Sequence, residues 1–245
     1  RGAHLVLAAR SEDQLREVAA ACKARNPRVG TLIVPTDVTS EIQLAHLAEQ
    51  AEAQFGRIDI LINNAGILQV GDFVTVGRDS VRQTIEVNLM SAMYLTQLVL
   101  PLMRRQGSGH VVMMASLMGQ HAMPFYSAYS TSKYALIGFA ESLRRELQGT
   151  GIRVLTVKPG FTATDMVAVA QKAYRKMGFF KMIPTERVAR RTLEGIVLGL
   201  AEVSIGWLER VAAWLNKLSP PLMDFYWRHL VPRDFEEIVS GQRTE

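Results

Sequence analysis

Cysteine is almost absent from this sequence of 245 residues, which contains only Cys22. One thiol cannot form an internal disulfide, and no thiol pair is available for a zinc site. We therefore expect no metal site, and we expect a reducing compartment, of which the cytoplasm is the simplest example.

Runs of one charge are also absent. The formal net charge is +5, but it is accompanied by no Lys/Arg run and by no basic stripe interleaved with aromatic residues. Such patterns are typical of nucleic-acid binding, so nucleic acid is not an expected partner. A mildly basic chain fits an anionic cofactor or an anionic membrane surface instead.

Long apolar runs are scarce as well. No stretch is expected to approach the length of a membrane span, and no secretory signal is visible. The chain starts at Arg1 and enters an apolar strand almost at once, at Leu5. Because a domain seldom begins on a buried strand, we expect that a segment ahead of Arg1 is missing from this chain.

Short apolar runs do occur, and they alternate with longer helical patterns. The predicted strands are residues 4–9, 31–34, 58–62, 110–115, 152–157 and a short last one at 203–206. The predicted helices are residues 12–25, 41–55, 80–105, 128–148, 184–200, 207–218 and 222–230. This alternation predicts an α/β fold in which a doubly wound parallel sheet has helices on both faces.

Residues at several helix ends support these boundaries. Ser11 and Ser40 are each followed by an acid and are predicted to be N-caps. Gly56 and Gly149 are predicted to be C-caps, since glycine tolerates the left-handed backbone found there.

The chemistry of the chain is indicated by Tyr129 and Lys133, which are four residues apart on a predicted helix and therefore share one face. An ammonium group beside a phenol favours the phenolate, so Lys133 is expected to lower the pKa of Tyr129. Ser116, at the end of an apolar strand, adds a hydroxyl that can hold a carbonyl oxygen. These groups suit reduction of a ketone or oxidation of an alcohol beside a hydride carrier.

Several motifs occur together in one order. They are Asn63-Asn64-Ala65-Gly66 after a strand, Asn88 in the next long helix, Ser116, Tyr129 with Lys133, and Pro159-Gly160 after a further strand. With them the chain resembles the short-chain dehydrogenase/reductase family over residues 1–206. The resemblance implies a Rossmann-like domain there, with residues 207–245 as a helical extension packed on the same domain.

The resemblance also implies a role for each catalytic residue. Tyr129 would give a proton to the substrate oxygen in reduction and remove it in oxidation, while Ser116 holds that oxygen. Lys133 would lower the pKa of Tyr129 and bind the nicotinamide ribose, and Asn88 would support a water-linked proton relay. Tyr126 is rejected as the acid because its fourth-following residue is a serine.

The predicted cofactor is NADP(H), in preference to NAD(H). In dinucleotide-binding folds, an arginine directly after the strand predicted here at residues 4–9 accommodates the 2′-phosphate of the cofactor's ribose. An acid at that place binds the ribose 2′-hydroxyl instead. This chain has Arg10 followed by Ser11, although a solvated arginine at a strand end is an alternative interpretation. Asp37-Val38 matches the family's adenine contact.

Two further segments match the family's nicotinamide half-site. Asn63, Ala65 and Gly66 lie at the carboxyl end of a strand, where backbone can approach a cofactor closely. Pro159-Gly160 and Thr162 match the segment that flanks the nicotinamide. Lys158 departs from the asparagine that many relatives have before Pro-Gly.

The family's first strand and its Gly-rich phosphate turn are not found in the sequence, and both are expected ahead of Arg1. Their absence leaves two rival interpretations open. One is a catalytically impaired or non-enzymatic binding or regulatory protein on the same fold. The other is an NAD-dependent alcohol dehydrogenase, against which Arg10 argues.

The segment after Gly160 determines substrate specificity in this family. It is rich in apolar side chains and predicts an apolar or lipid-like substrate; they are Phe161, Met166, Val167, Tyr174, Met177, Phe179, Phe180 and Met182. Cations within it fit either an anionic headgroup or a solvated face; they are Lys172, Arg175, Lys176 and Lys181.

The resemblance further implies a homodimer or homotetramer that pairs through the helices at 80–105 and 128–148. The Trp-rich segment 207–230 has two interpretations. Packing over the site or a neighbouring subunit is favoured, and peripheral contact with a membrane surface is the alternative.

Overall fold

Parallel strands form the centre of the molecule. The computed structural model describes residues 2–167, 182–231 and 235. Its strands are β1 (Leu5–Ala9), β2 (Thr31–Pro35), β3 (Ile60–Asn63), β4 (Gly109–Met114), β5 (Ile152–Pro159) and β6 (Glu202–Ile205). Each bound lies within two residues of the bound predicted from the sequence.

Helices follow the strands in alternation. They are α1 (Glu12–Arg25), α2 (Glu41–Phe55), α3 (Arg78–Ile85), α4 (Ser91–Gln106), α5 (Ser127–Glu146), α6 (Thr185–Leu198), α7 (Trp207–Leu218) and α8 (Pro220–Leu230). A π-helical turn, Glu86–Met90, joins α3 to α4, and 3₁₀ turns occur at Leu117–Gly119 and Asp165–Val167. The long helix predicted at 80–105 is therefore continuous but contains a π-turn.

Hydrogen bonding divides the strands into two parallel groups. One group pairs β1 with β2, and the other has the order β3-β4-β5-β6. In the described residues no strand joins β1 to β3, so the predicted doubly wound sheet is interrupted between them. The strand and Gly-rich turn expected ahead of Arg1 lie outside the described residues and stay a prediction.

The sheet is covered on both faces, as strand β4 shows. Val111 and Met113 belong to the apolar cluster that includes Leu136 of α5, whereas Val112 belongs to the cluster that includes Ile196 of α6. Successive residues of a strand point to opposite faces, so α5 and α6 lie on opposite sides of β4. This layering is the α/β architecture predicted from the alternation of elements.

The continuous helix Arg78–Gln106 corrects one expectation. It is 29 residues long and contains an 18-residue window with a mean hydropathy of 1.3, so by length and composition it could cross a membrane, although the sequence was expected to contain no such stretch. Its residues Val99 and Met103 are buried in the cluster beneath the sheet. Core helices meet the same two criteria, and 39% of the apolar window of this helix is buried inside the protein.

The predicted caps are mostly confirmed. The hydroxyls of Ser11 and Ser40 accept hydrogen bonds from the first turns of α1 and α2, and Gly56 ends α2 with a φ of 68°. The prediction for Gly149 was wrong, because α5 ends at Glu146 and Leu147 is its C-cap. Gly149 has a φ of 79° and lies in the turn that follows.

Candidate active site

A cavity of about 570 Å³ opens at the carboxyl ends of β3, β4 and β5. Its lining brings together Ser116, Tyr129 and Lys133, together with Pro159 and Gly160 at the end of β5. In open α/β sheets ligands bind at this edge, where the loops that follow the strands converge. Residues that are far apart in the sequence therefore share one concave site.

Ser116 and Tyr129 both line this cavity, and a side-chain interaction with Ser116 acts to lower the pKa of Tyr129. Ser116 also begins the 3₁₀ turn after β4, and its Oγ accepts a hydrogen bond of 3.1 Å from the backbone N–H of Met118. Tyr129 lies in the first turn of α5 and is buried. A hydroxyl pair of this kind can hold and protonate one oxygen atom between them.

The pKa of Tyr129 differs from the expectation. Burial raises it above its usual value, and the interaction with Ser116 acts in the opposite direction with a smaller effect. The sequence predicted a pKa lowered by Lys133, and this is wrong for the site as the structure has it. Removal from water destabilises the phenolate by more than its interaction with Ser116 stabilises it.

Lys133 is itself buried one helical turn after Tyr129. Its Nζ lies 5.7 Å from the centre of the Tyr129 ring and donates a hydrogen bond of 2.9 Å to the carbonyl of Met114. Burial lowers the pKa of Lys133 to about 8. An ammonium has three donor hydrogens, so Lys133 retains donors for a ligand beside Tyr129.

Asn88 holds the loop after β3 against α5. It lies in the π-helical turn, and its Oδ1 accepts a hydrogen bond of 2.7 Å from Ile67 N–H while its Nδ2 donates to Ile67 O at 2.9 Å. Nδ2 also donates to Ser132 Oγ at 3.0 Å, and Ser132 donates to the carbonyl of Tyr129. Ser132 was not predicted as a site residue from the sequence, although it lies between Tyr129 and Lys133.

Gly66 shows that this loop approaches the site closely. A Cβ at this position would lie 3.2 Å from Asn88 Oδ1 and 3.6 Å from Lys133 Nζ. With Thr162 and Gly160 lining the same cavity, the backbone forms a cradle that a flat ring can enter. These residues could hold the nicotinamide end of a dinucleotide, and that role stays a prediction.

Asn63 ends β3, as predicted, and its side chain is hydrogen-bonded inside the protein. Its Nδ2 donates a hydrogen bond of 3.0 Å to Thr96 Oγ1 in α4 and lies 3.4 Å from Met113 Sδ. The side chain is buried between β3, β4 and α4, and the predicted contact of Asn63 with a cofactor stays a prediction. Asn64, the next residue, lines the cavity.

The residues predicted to choose the cofactor lie at the ends of β1 and β2. Arg10 is exposed, and Ser11 caps α1. Hydrogen bonds from the backbone and side chain of Thr39 lower the pKa of Asp37, and the charge of Arg10 adds to this. Val38 lines a separate hollow of about 520 Å³ with residues of α2 and α4.

Apolar side chains make up most of the rest of the active-site cavity, beside Thr164, Thr185 and Thr192. Those predicted from the sequence are Phe161, Met166 and Val167, and those it missed include Leu68, Met118, Val188 and Leu193. Met182 was also predicted, and it packs against the apolar cluster that contains Tyr129 without lining the cavity. The predicted substrate contacts at 174, 177, 179 and 180, and the cations at 172, 175, 176 and 181, lie outside the described residues. Lys158 points elsewhere, since its buried ammonium lies 2.5 Å from Glu202 Oε2.

His121 is a polar residue of this lining that the sequence analysis missed. It is 3% exposed, its ring stacks on Trp227 at 6.4 Å, and its Nδ1 has no hydrogen-bond partner in the described part of the chain. Burial lowers the pKa of His121 to about 4, and the carbonyl of Leu117 opposes this weakly. The imidazole is therefore neutral at pH 7.

This pKa predicts an acid-sensitive stability. In the unfolded chain the pKa of His121 is about 6.5, so below that pH the unfolded chain binds a proton that the folded protein does not bind. The free energy of unfolding therefore falls between pH 6.5 and 4. We expect His121 alone to lower the free energy of unfolding by about 2 kcal/mol between pH 7 and 5. Urea unfolding at both pH values should show this loss, and His121→Gln should remove it. The control is His46→Gln on the exposed side of α2, which should leave the loss unchanged.

Comparisons with known proteins agree with this arrangement. A family model described as short chain dehydrogenase matches residues 1–175. Ketoacyl reductase HetN of Nostoc sp. is 32% identical over 250 residues, which cover 99% of this chain and 86% of that protein. Estradiol 17-beta-dehydrogenase 11 of Homo sapiens is 31% identical over 208 residues, which cover 84% of this chain and 66% of that protein.

A solved structure extends the similarity to almost the whole chain. It is that of a short-chain dehydrogenase from Streptomyces avermitilis, with a TM-score of 0.75 and 26% sequence identity. The superposition covers 98% of this chain and 89% of that one. The break between β1 and β3 is therefore compatible with the same overall arrangement of elements.

Proposed function

This chain belongs to the short-chain dehydrogenase family, and from that premise we propose that it is an oxidoreductase acting between NADP(H) and a carbonyl or alcohol substrate. The observation that carries the proposal is the convergence of Ser116, Tyr129 and Lys133 on one cavity at the carboxyl edge of the sheet. A binding protein has no physical need for a buried ammonium beside a buried phenol, because burying that charge destabilises the fold.

The proposed chemistry divides between cofactor and chain. NADP(H), when bound, supplies the hydride to the carbonyl carbon or accepts it from the alcohol carbon. In reduction the carbonyl oxygen takes the proton of the Tyr129 hydroxyl, while Ser116 donates a hydrogen bond that orients that oxygen. Lys133, whose Nζ lies 5.7 Å from the centre of the Tyr129 ring and keeps free donors, would bind the ribose hydroxyls of the cofactor beside Tyr129. Oxidation reverses these proton movements.

Asn88 supports this site as a positioning residue. Its amide is bonded to Ile67 on one side and to Ser132 on the other, so it fixes the distance between the loop after β3 and helix α5. That loop carries Gly66, and α5 carries both Tyr129 and Lys133. We propose that the water-linked proton relay implied by the family resemblance starts where Asn88 is bonded to Ile67 and Ser132.

We propose an apolar, lipid-like carbonyl compound as the substrate. Phe161, Met118 and Leu68 are among the apolar side chains that line the cavity around Tyr129, and they outnumber the polar ones. Two relatives bear names that refer to largely apolar substrates, one a ketoacyl reductase and the other an estradiol dehydrogenase. Neither name establishes the substrate of this chain.

A substrate panel tests this proposal. The full-length protein is assayed for NADPH oxidation with fatty-chain 3-oxo compounds, steroid ketones and small polar ketones. We expect kcat/KM to be at least about tenfold higher for an apolar group than for the polar one, because burial of a few methylenes contributes that much. A clear preference for small polar ketones would overturn the proposed substrate class and leave the reaction type intact.

Cofactor choice is tested at Arg10. We expect Arg10→Asp to weaken NADPH binding by about tenfold or more, because a carboxylate repels a 2′-phosphate, and to leave NADH binding within about threefold. Fluorescence titration of each cofactor measures both constants. The matched control is Arg25→Asp at the far end of α1, which makes the same change of charge. Equal weakening of NADPH by both variants would show a general charge effect and favour the NAD-dependent alternative.

We also propose that the protein is a cytoplasmic homodimer or homotetramer that pairs through α4 and α5. The hollow of about 520 Å³ is lined by Tyr94 and Leu100 of α4 and by Phe139 and Leu143 of α5, which leaves apolar surface on both helices. Sedimentation at micromolar concentration should show a species larger than the monomer, and a monomer alone would contradict the pairing.

A further inference from the structure

The C-terminal helices α7 and α8 have apolar side chains on two opposite sides. On the inner side, Met223 and Trp227 are buried in the same cluster as Tyr129 and Phe161. This side gives the segment the packing role favoured by its sequence. Through Trp227, α8 also packs on His121, which lines the active-site cavity.

The outer side exposes large apolar residues to solvent. Trp207, Trp214 and Phe225 are 71%, 61% and 63% exposed, respectively. Four further residues of the two helices are exposed in the same way; they are Val211, Leu218, Leu222 and Tyr226. Single exposed apolar residues are normal, but a contiguous group of this size marks an interaction surface.

The spacing on α7 places this group on one stripe. Trp207, Val211, Trp214 and Leu218 follow one another at intervals of four, three and four residues, which return to the same face of a helix. Helix α8 begins two residues after α7 ends, packs against it, and continues the apolar surface with Phe225. We call this outer surface of the two helices the aromatic face.

The chemistry beside the aromatic face identifies the kind of partner. Arg210 and Lys217 are exposed on α7, and Arg228 is exposed on α8. Exposed Trp, Tyr and Phe flanked by Arg and Lys are typical of helices that lie in the plane of a membrane interface, where rings reach the acyl boundary and cations meet lipid phosphates. One exposed acid, Asp224, lines the same shallow depression as Arg228.

We propose that the aromatic face docks on the surface of an anionic lipid membrane. The two helices then lie in the interface with their inner side still packed on the Tyr129 cluster. This brings the helix that packs on His121, a residue of the active-site cavity, next to the lipid, where apolar compounds concentrate. The inference rests on the exposed residues of α7 and α8 and does not depend on the proposed reaction.

Vesicle flotation tests the proposal. The full-length protein is mixed with vesicles of phosphatidylcholine alone or of phosphatidylcholine with phosphatidylserine. We expect flotation with the anionic vesicles, and we expect the double variant Trp214→Ser with Phe225→Ser to bind them at least about tenfold more weakly. Arg210→Ala with Lys217→Ala should also weaken binding, and more so at low salt.

A matched control separates docking from general stickiness. Phe73, which is 62% exposed in the loop between β3 and α3, has nearly the same exposure as Phe225. Phe73→Ser should leave flotation unchanged, and thermal melting should show that all variants are folded. Tryptophan emission should shift to shorter wavelength on binding, because Trp207 and Trp214 are exposed whereas Trp227 is already buried.

Three results would overturn the proposal. The first is no flotation of the wild-type protein with either vesicle. The second is equal binding by the wild type and the Trp214→Ser, Phe225→Ser variant. The third is a wild-type oligomer that only this variant dissociates in the absence of lipid, which would show that a second copy covers the aromatic face. Flotation, melting, tryptophan emission and oligomeric state do not depend on turnover. Failure of the proposed reaction would therefore be a separate result from failure of the membrane docking.

Discussion

Tyr129→Phe is expected to lower kcat/KM for carbonyl reduction by about 10³-fold, within the range that a single general acid contributes. The variant removes one hydroxyl from a buried ring and leaves the ring packing with Phe161 in place. Loss of the interaction with Ser116 should change the free energy of unfolding by only about 1 kcal/mol. Steady-state kinetics and urea unfolding of the same preparation measure both effects.

Tyr126 provides the matched control. It is fully buried three residues upstream, it belongs to the same apolar cluster as Tyr129, and no lysine follows it at the fourth position. Tyr126→Phe should leave kcat/KM within about threefold of the wild type. If the two variants lose activity equally, the loss comes from disturbed packing and Tyr129 is not the general acid.

Lys133→Met is expected to abolish most activity and, at the same time, to stabilise the fold. Burial lowers the pKa of Lys133 to about 8, so below that pH the folded state holds a charge that the unfolded chain holds more easily. Relative to an ordinary value of 10.5 this destabilises the folded protein by about 3 kcal/mol at pH 7. The lost hydrogen bond to Met114 offsets about 1 kcal/mol, which leaves a net gain of about 2 kcal/mol.

The sign of this effect depends on pH in a way that identifies its cause. The gain should be complete below pH 8, decline as the pH rises from 8 to 10.5, and be absent above that, because lysine is then neutral in both states. Urea unfolding across this range measures it, and kcat/KM should fall by about 10²–10³-fold. A variant that is less stable than the wild type at pH 7 would contradict the account.

Lys158→Met is the control for the loss of a buried lysine. Lys158 is as deeply buried as Lys133, but its ammonium lies against Glu202 at the edge strand β6 and not in the active-site cavity. Its removal should leave kcat/KM within about threefold of the wild type. Removing this partner of Glu202 should not stabilise the fold, in contrast to Lys133→Met.

Local signals explain why the elements were predictable from the sequence. Buried strands read as apolar runs because helices cover both faces, and caps such as Ser40 mark where helices begin. The residues that line the cavity were predictable where a motif ties them to one strand end or one helical turn. Ser116, Tyr129 and Lys133 meet this condition, and the structure places them in one cavity.

Features that depend on tertiary geometry were not predictable. The π-helical turn around Asn88 has no local sequence signature, and Ser132 is recognised only when its partner on another helix is known. The direction of the pKa change at Tyr129 depends on how deeply the ring is buried, and periodicity does not report this depth. His121 was missed because a lone histidine in an apolar segment gives no sign of facing a cavity.

The Trp-rich segment shows the same limit. Its spacing indicated an amphipathic helix, but it did not show that α8 buries Trp227 on one side while leaving Phe225 exposed on the other. The favoured packing and its membrane alternative concern different faces of the same two helices. Both interpretations can therefore hold at once.

Transfer of deuterium tests the central claim most directly. The full-length protein is incubated with NADPH that carries deuterium at the transferable position and with the best ketone of the panel, and the product is analysed by mass spectrometry. The account predicts an alcohol with one deuterium on the former carbonyl carbon, formed by the wild type and not detectably by Tyr129→Phe. Cofactor binding without deuterium in any product would contradict it and would make the non-enzymatic interpretation the leading one.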